Sequence, residues 1–115
     1  MPREARVAMA ERAAALAEFG PTLGRPHVDT LSGSEYPNMK ELRFDAADGV
    51  WRVAFIFDPA RAAVLLVAGD KSGVKQKRFY KSLITKADAR YAAHLAKLAA
   101  ESKTTAPANK PKKEK

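Results

Sequence analysis

The chain contains no cysteine, which excludes a disulfide framework and any thiolate-bound metal. Histidine is almost as scarce: His27 and His94 alone do not furnish a zinc set, so neither a metal nor another cofactor is expected. No run approaches the ~20 apolar residues of a membrane-spanning helix. Glu11 and Arg12 interrupt the N-terminal stretch where a secretory signal would need an apolar core. Acidic residues are in the minority, 13 against 21 Lys and Arg, for a formal net charge of +8. These absences point to a cytoplasmic protein whose partners carry negative charge.

What is present is enough for one domain. The sequence has 115 residues, of which 46% are hydrophobic. Residues 102–115 hold no aromatic or large aliphatic side chain, so burial cannot offset their ordering entropy. They read as a disordered basic tail after a domain at 1–101. Its five lysines face Glu114 alone. A second basic concentration runs from Lys71 to Arg90, with Asp88 its one acid. Scattered lysines are commonly a solvated surface, but here they follow an apolar run and flank Phe79-Tyr80, which puts a nucleic-acid partner on an equal footing with that reading.

The centre of the sequence is a succession of β-type runs. Lys40–Phe44 alternates polar and apolar residues, Val50–Phe57 is apolar except for Arg52, and 63–68 is a Val- and Leu-rich run suited to the centre of a sheet. Asp48-Gly49 and Asp58-Pro59 lie between them as turn signals, so successive strands are antiparallel neighbours. Alternation places Glu41 and Arg43 opposite Leu42 and Phe44, where a charged pair is ordinarily solvent decoration. Arg52 falls on the face of Val50, Ala54 and Ile56. Such an arginine needs a partner: either an acid (Asp45, Asp48 or Glu41) or a phosphate.

The flanks read as helices. Residues 3–19 are Ala-rich and stop at Gly20-Pro21, with Val7, Ala10, Ala14 and Ala17 as the packing stripe and Arg12 outward. Residues 20–37 form a long irregular segment anchored by Leu23, Val28 and Leu31, with His27 as a surface residue. Gly69-Asp70-Lys71-Ser72-Gly73 is a turn and not a P-loop, because the glycine spacing is wrong. Arg78-Phe79-Tyr80 reads as a short strand or turn, and Thr85 as the cap of a last helix from Lys86 to about Glu101, with His94 beside its apolar stripe. The predicted fold is α+β, a small antiparallel sheet of three to four strands packed on an N-terminal and a C-terminal helix.

The strings GPTLGRPHVDTLSGSEYPNMKELRF, GVWRVAFIFDP, LLVAGDKSG, RFY and ADARYAAHL resemble the phage-derived branch of the RelE/HigB toxin family. The resemblance covers 19–95. It implies an mRNA-cleaving toxin of microbial-ribonuclease-like architecture, acting on the ribosome and restrained by an antitoxin with a helix-turn-helix domain. The implied reaction needs no metal: the 2′-hydroxyl attacks the adjacent phosphate and leaves a 2′,3′-cyclic phosphate. The family's motif positions fall on Lys40, Arg43, Arg52, Lys71, Arg78 and Tyr80. Arg52, Lys71, Arg78 and Tyr80 are the candidate catalytic groups, and Lys40, Arg43, Lys75, Lys77 and Lys81 the candidate RNA-binding groups. On this reading Arg52→Ala or Tyr80→Phe abolishes cleavage without unfolding the domain. A non-catalytic ParE-like poison and a basic RNA-binding module are the competing functions. Such sequences usually open with a strand and a longer first helix. The lack of that strand predicts an unpaired sheet edge open to self-association.

Overall fold

The computed structural model describes residues 1–24 and 27–105. Helix α1 (Arg3–Phe19) ends at Gly20, whose φ of 58° turns the chain into a single 3-10 turn. Strands β1 (Val28–Thr30), β2 (Lys40–Ala46), β3 (Gly49–Phe57) and β4 (Ala63–Asp70) follow, and helix α2 spans Gln76–Thr105. The strands form one antiparallel sheet in the order β1-β2-β3-β4. Residues 106–115, most of the expected tail, lie outside the described residues.

The two helices cover opposite faces of the sheet. Leu42, Phe44, Trp51, Val53 and Phe55 join Ala5 and Leu16 of α1 in one cluster. Ala54, Ile56 and Leu66 join Phe79, Leu83, Ala87 and Tyr91 of α2 in the other. Those four helical residues recur every fourth position, the spacing of one helix face. Gly69 of β4 lets α2 approach, since a Cβ there would stand 2.9 Å from a Phe79 ring carbon.

Several expectations are overturned. The α1 stripe is Ala5 and Leu16 with Ala8 and Met9 partly buried, whereas Val7, Ala10, Ala14 and Ala17 are exposed. In an Ala-rich helix many faces are equally apolar, and the larger Leu16 and Met9 decide which one packs. The third run, read as a sheet centre, is the edge strand β4, with Leu65 39% exposed. Helix α1 lies towards β2, which leaves that side of β4 uncovered. Arg78-Phe79-Tyr80 is helical, because α2 starts at Gln76, and Phe79 N–H already donates to the Lys75 carbonyl. Thr85 is therefore no cap: its hydroxyl donates to the Lys81 carbonyl one turn back.

The irregular segment also contains a strand. β1 pairs Val28 with Leu42 and Thr30 with Lys40, partly covering the edge expected to be bare. Arg43 N–H donates to the His27 carbonyl as the last contact, and β2 runs on beyond it to Ala46. Leu31 and Met39 then drop into the α2-side core. Asp88 of α2 fixes the intervening loop, accepting from the Ser34 hydroxyl and the Glu35 N–H. The β2–β3 hairpin closes with Ala47 and Asp48, both at positive φ (52° and 62°), the two-residue turn whose twist suits an antiparallel ribbon.

Candidate functional site

Register assembles the site. Arg43 of β2 lies directly opposite Arg52 of β3, and Glu41 opposite Ala54, so all three charged residues share the α2 face. The first turn of α2 brings Tyr80 onto them. The Tyr80 hydroxyl donates to Glu41 Oε1 at 2.7 Å and accepts from Arg52 Nε at 3.2 Å. Arg52 Nη1 donates to the Trp51 carbonyl at 2.9 Å, and Arg52 Nε stands 3.7 Å from Glu41 Oε1. Lys71, just past β4, places its ammonium 5.9 Å from the Tyr80 ring centroid, within cation–π range.

Glu41 and Arg52 are both buried, each 6% exposed. A buried charge persists only with a partner, and here each is the other's. Among the three acids open to Arg52 from sequence, Glu41 is the one the sheet register selects. Glu41 is thus a buried member of the cluster and not the solvent decoration that alternation suggested. Its signal in the sequence was its two-residue offset from Arg43. Burial first, then the hydrogen bond to Glu41, raises the Tyr80 phenol above its ordinary value, with Arg52 opposing. Tyr80 is therefore uncharged at neutral pH, a hydrogen-bond donor to Glu41.

The structure brings Arg43, Arg52, Lys71 and Tyr80 to one face and disperses the rest. Lys40 pairs with Thr30 and Phe55 and alternates onto the α1 side. Arg78 is exposed and lines a groove beside Gly69, Val74 and Lys86, on the far flank of Phe79 from Tyr80. Two residues along a helix are about 200° apart, so the helical form of this segment separates the two side chains that its motif joins. Lys75 and Lys77 are exposed at the start of α2, and Lys81 lines a groove with Glu35, Tyr36 and Asp88. The four catalytic candidates thus divide, with Arg78 apart from the other three.

His94, beside the apolar stripe as expected, has a defined partner. Its Nε2 lies 2.9 Å from Asp58 Oδ2, and its ring stacks near Tyr91. Asp58 is held below the usual carboxylate range, chiefly by the His94 hydrogen bond and next by the Ala62 N–H. A carboxyl with a depressed folded pKa adds stability that is complete above its ordinary value of 3.8 and lost as pH falls through the folded value. Asp58→Asn is expected to lower the Tm at pH 7 and to flatten the fall in Tm below about pH 4. Parallel acid limbs in thermal melts of the two proteins would contradict this coupling.

An antiparallel sheet between two helices, with a buried arginine–carboxylate–phenol cluster on the α2 side, defines a small α+β protein. The chain belongs to the Phage derived protein Gp49-like family, whose profile matches residues 1–92. Two Mycobacterium tuberculosis proteins bearing the toxin names HigB3 and HigB2 are similar to it. The first is 54% identical over 71 residues, 62% of this chain and 60% of that protein. The second is 48% identical over 82 residues, 70% of this chain and 40% of that protein. The chain thus spans about half the length of these relatives. No solved structure matches it. The family agrees with the resemblance carried by the sequence motifs.

Proposed function

We propose that this chain is the toxin of a toxin–antitoxin pair, a cytoplasmic endoribonuclease that cuts mRNA on the ribosome and is restrained by an antitoxin. The observation that carries this reading is the Arg52–Tyr80–Glu41 cluster with Lys71 over the phenol ring. Family membership and the toxin names of the relatives support it.

The hydrogen-bond directions support the following chemistry. As the ribose 2′-oxygen bonds to phosphorus, its proton passes to the Tyr80 oxygen while the Tyr80 proton passes to Glu41. The bond from phosphorus to the 5′-oxygen breaks, and that oxygen takes a proton from the Lys71 ammonium. The second terminal nitrogen of Arg52, which has no protein partner among the described residues, faces the charge that gathers on the phosphorane. The products are a 2′,3′-cyclic phosphate and a 5′-hydroxyl.

Mapping RNA ends in translating cells that express the chain tests this. New 5′-hydroxyl ends within open reading frames, matched by upstream fragments ending in 2′,3′-cyclic phosphate, are expected. Intact messages accompanied by DNA breaks would instead make the chain a poison of DNA metabolism. Intact messages with salt-sensitive RNA binding would leave a binding module without chemistry.

A further inference from the structure

Beyond the catalytic cluster, a second basic cleft opens where β1 stops short. Val28 is the first residue of β1 and pairs with Leu42, so the edge of β2 after Arg43 has no strand beside it. Around that open edge a cleft of about 470 Å³ is lined by Arg12, His27, Arg43, Phe44, Asp45 and Arg52. Three guanidinium groups from three separate elements border it.

Arg12 is the informative member. Its Nε is fully buried yet has no hydrogen-bond partner among the described residues. Buried polar atoms of native proteins are paired in the great majority, and an unpaired guanidinium nitrogen is costlier than a neutral one. Packing alone does not account for an arginine there, because the Ala-rich helix has alanine on both sides of this position at Ala8 and Ala15. A ligand that supplies an oxygen to Arg12 does account for it.

The charge around the cleft is not uniform. Asp45 is an exposed lining residue, and Asp29 stands 3.6 Å from Arg43 Nη1. That Arg43 contact is long and partly solvent-exposed, so an anion in the cleft can compete for the guanidinium. Arg52 belongs to both places, reaching Tyr80 through Nε on one side and lining the cleft on the other. Whatever occupies the cleft is therefore adjacent to the reacting phosphate.

We infer that this cleft is a second phosphate subsite, which takes the backbone phosphate next to the scissile link of single-stranded RNA through Arg12 and Arg43. The inference rests on the ribonuclease reading of the adjoining cluster. It assigns Arg12 and Asp45, neither a family motif position, to substrate binding. Arg12 grips the flanking phosphate, while Asp45 weakens that grip and discourages retention of the cut strand.

The test uses the full chain and two uncleavable 2′-deoxy probes, a dinucleotide with one phosphate and a tetranucleotide that extends it by one nucleotide on each side. Arg12→Gln is expected to weaken tetranucleotide binding about 5- to 10-fold and to reduce the salt slope by about one phosphate, leaving the dinucleotide unaffected. Asp45→Asn, at an exposed position where folding is not at risk, is expected to tighten the tetranucleotide about 2- to 3-fold. Wild-type affinities for both probes in both variants would overturn the subsite. So would equal losses on the two probes in Arg12→Gln, since Arg12 would then serve the central site or the fold. The probes are not cut, so the binding outcome stands apart from cleavage. A chain that binds as expected but leaves RNA intact in cells keeps the subsite and loses the ribonuclease reading.

Discussion

Arg52→Ala is expected to destabilise the domain by about 3–5 kcal/mol, the typical cost of breaking a buried ion pair by removing one partner. The expectation stems from the burial of both charges and from the central position of β2 and β3, where water cannot easily reach Glu41 once the guanidinium is gone. Small domains have roughly 5–15 kcal/mol in all, so much of the population can unfold at physiological temperature. Loss of cleavage in this variant would then say little about chemistry, contrary to the sequence-based expectation that Arg52→Ala spares the fold. The double variant Arg52→Met with Glu41→Leu removes both charges and is expected to recover most of the loss. Urea denaturation of the two proteins decides the matter. A single variant as stable as wild type would show that the pair contributes little.

Tyr80→Phe separates chemistry from stability. The ring stays, and with it the contact to Phe79 and the platform beneath Lys71. Only the hydroxyl between Arg52 and Glu41 is lost, at a stability cost of about 1 kcal/mol. Burial and Glu41 keep the phenol protonated, so in the proposed reaction its role is to relay a proton, and positioned proton transfer accounts for about 10²–10⁴ in rate. Single-turnover cleavage by Tyr80→Phe is therefore expected to slow by about that factor with a nearly unchanged Tm. Cleavage at the wild-type rate would remove Tyr80 from the reaction and leave the cluster a structural one.

Period and turn residues made β2, β3 and β4 readable. Asp48-Gly49 and Asp58-Pro59 bracket them, and the antiparallel meander follows from the short connections. The first helix was equally plain, since Gly20-Pro21 ends it. Helical Arg78-Phe79-Tyr80 was not, because aromatic residues suit a strand locally and only the recurrence of Leu83, Ala87 and Tyr91 marks the helix. β1 was hidden for a different reason. Three residues among prolines and glycines carry no period, and they become a strand only because β2 offers an edge to pair with.

By itself the sequence determined the charge, the meander and the presence of an arginine that must find a partner inside an apolar strand. It also carried the family, in motifs spread along most of the chain. Which residues meet was decided by the tertiary structure. Register put Glu41 and Arg43 beside Arg52, helical geometry turned Tyr80 towards them and Arg78 away, and the short reach of β1 left Arg12 at an open edge. The physical reason is that alternation and helical period fix only the face a side chain takes. Its neighbours across strands and layers depend on pairings distant in sequence.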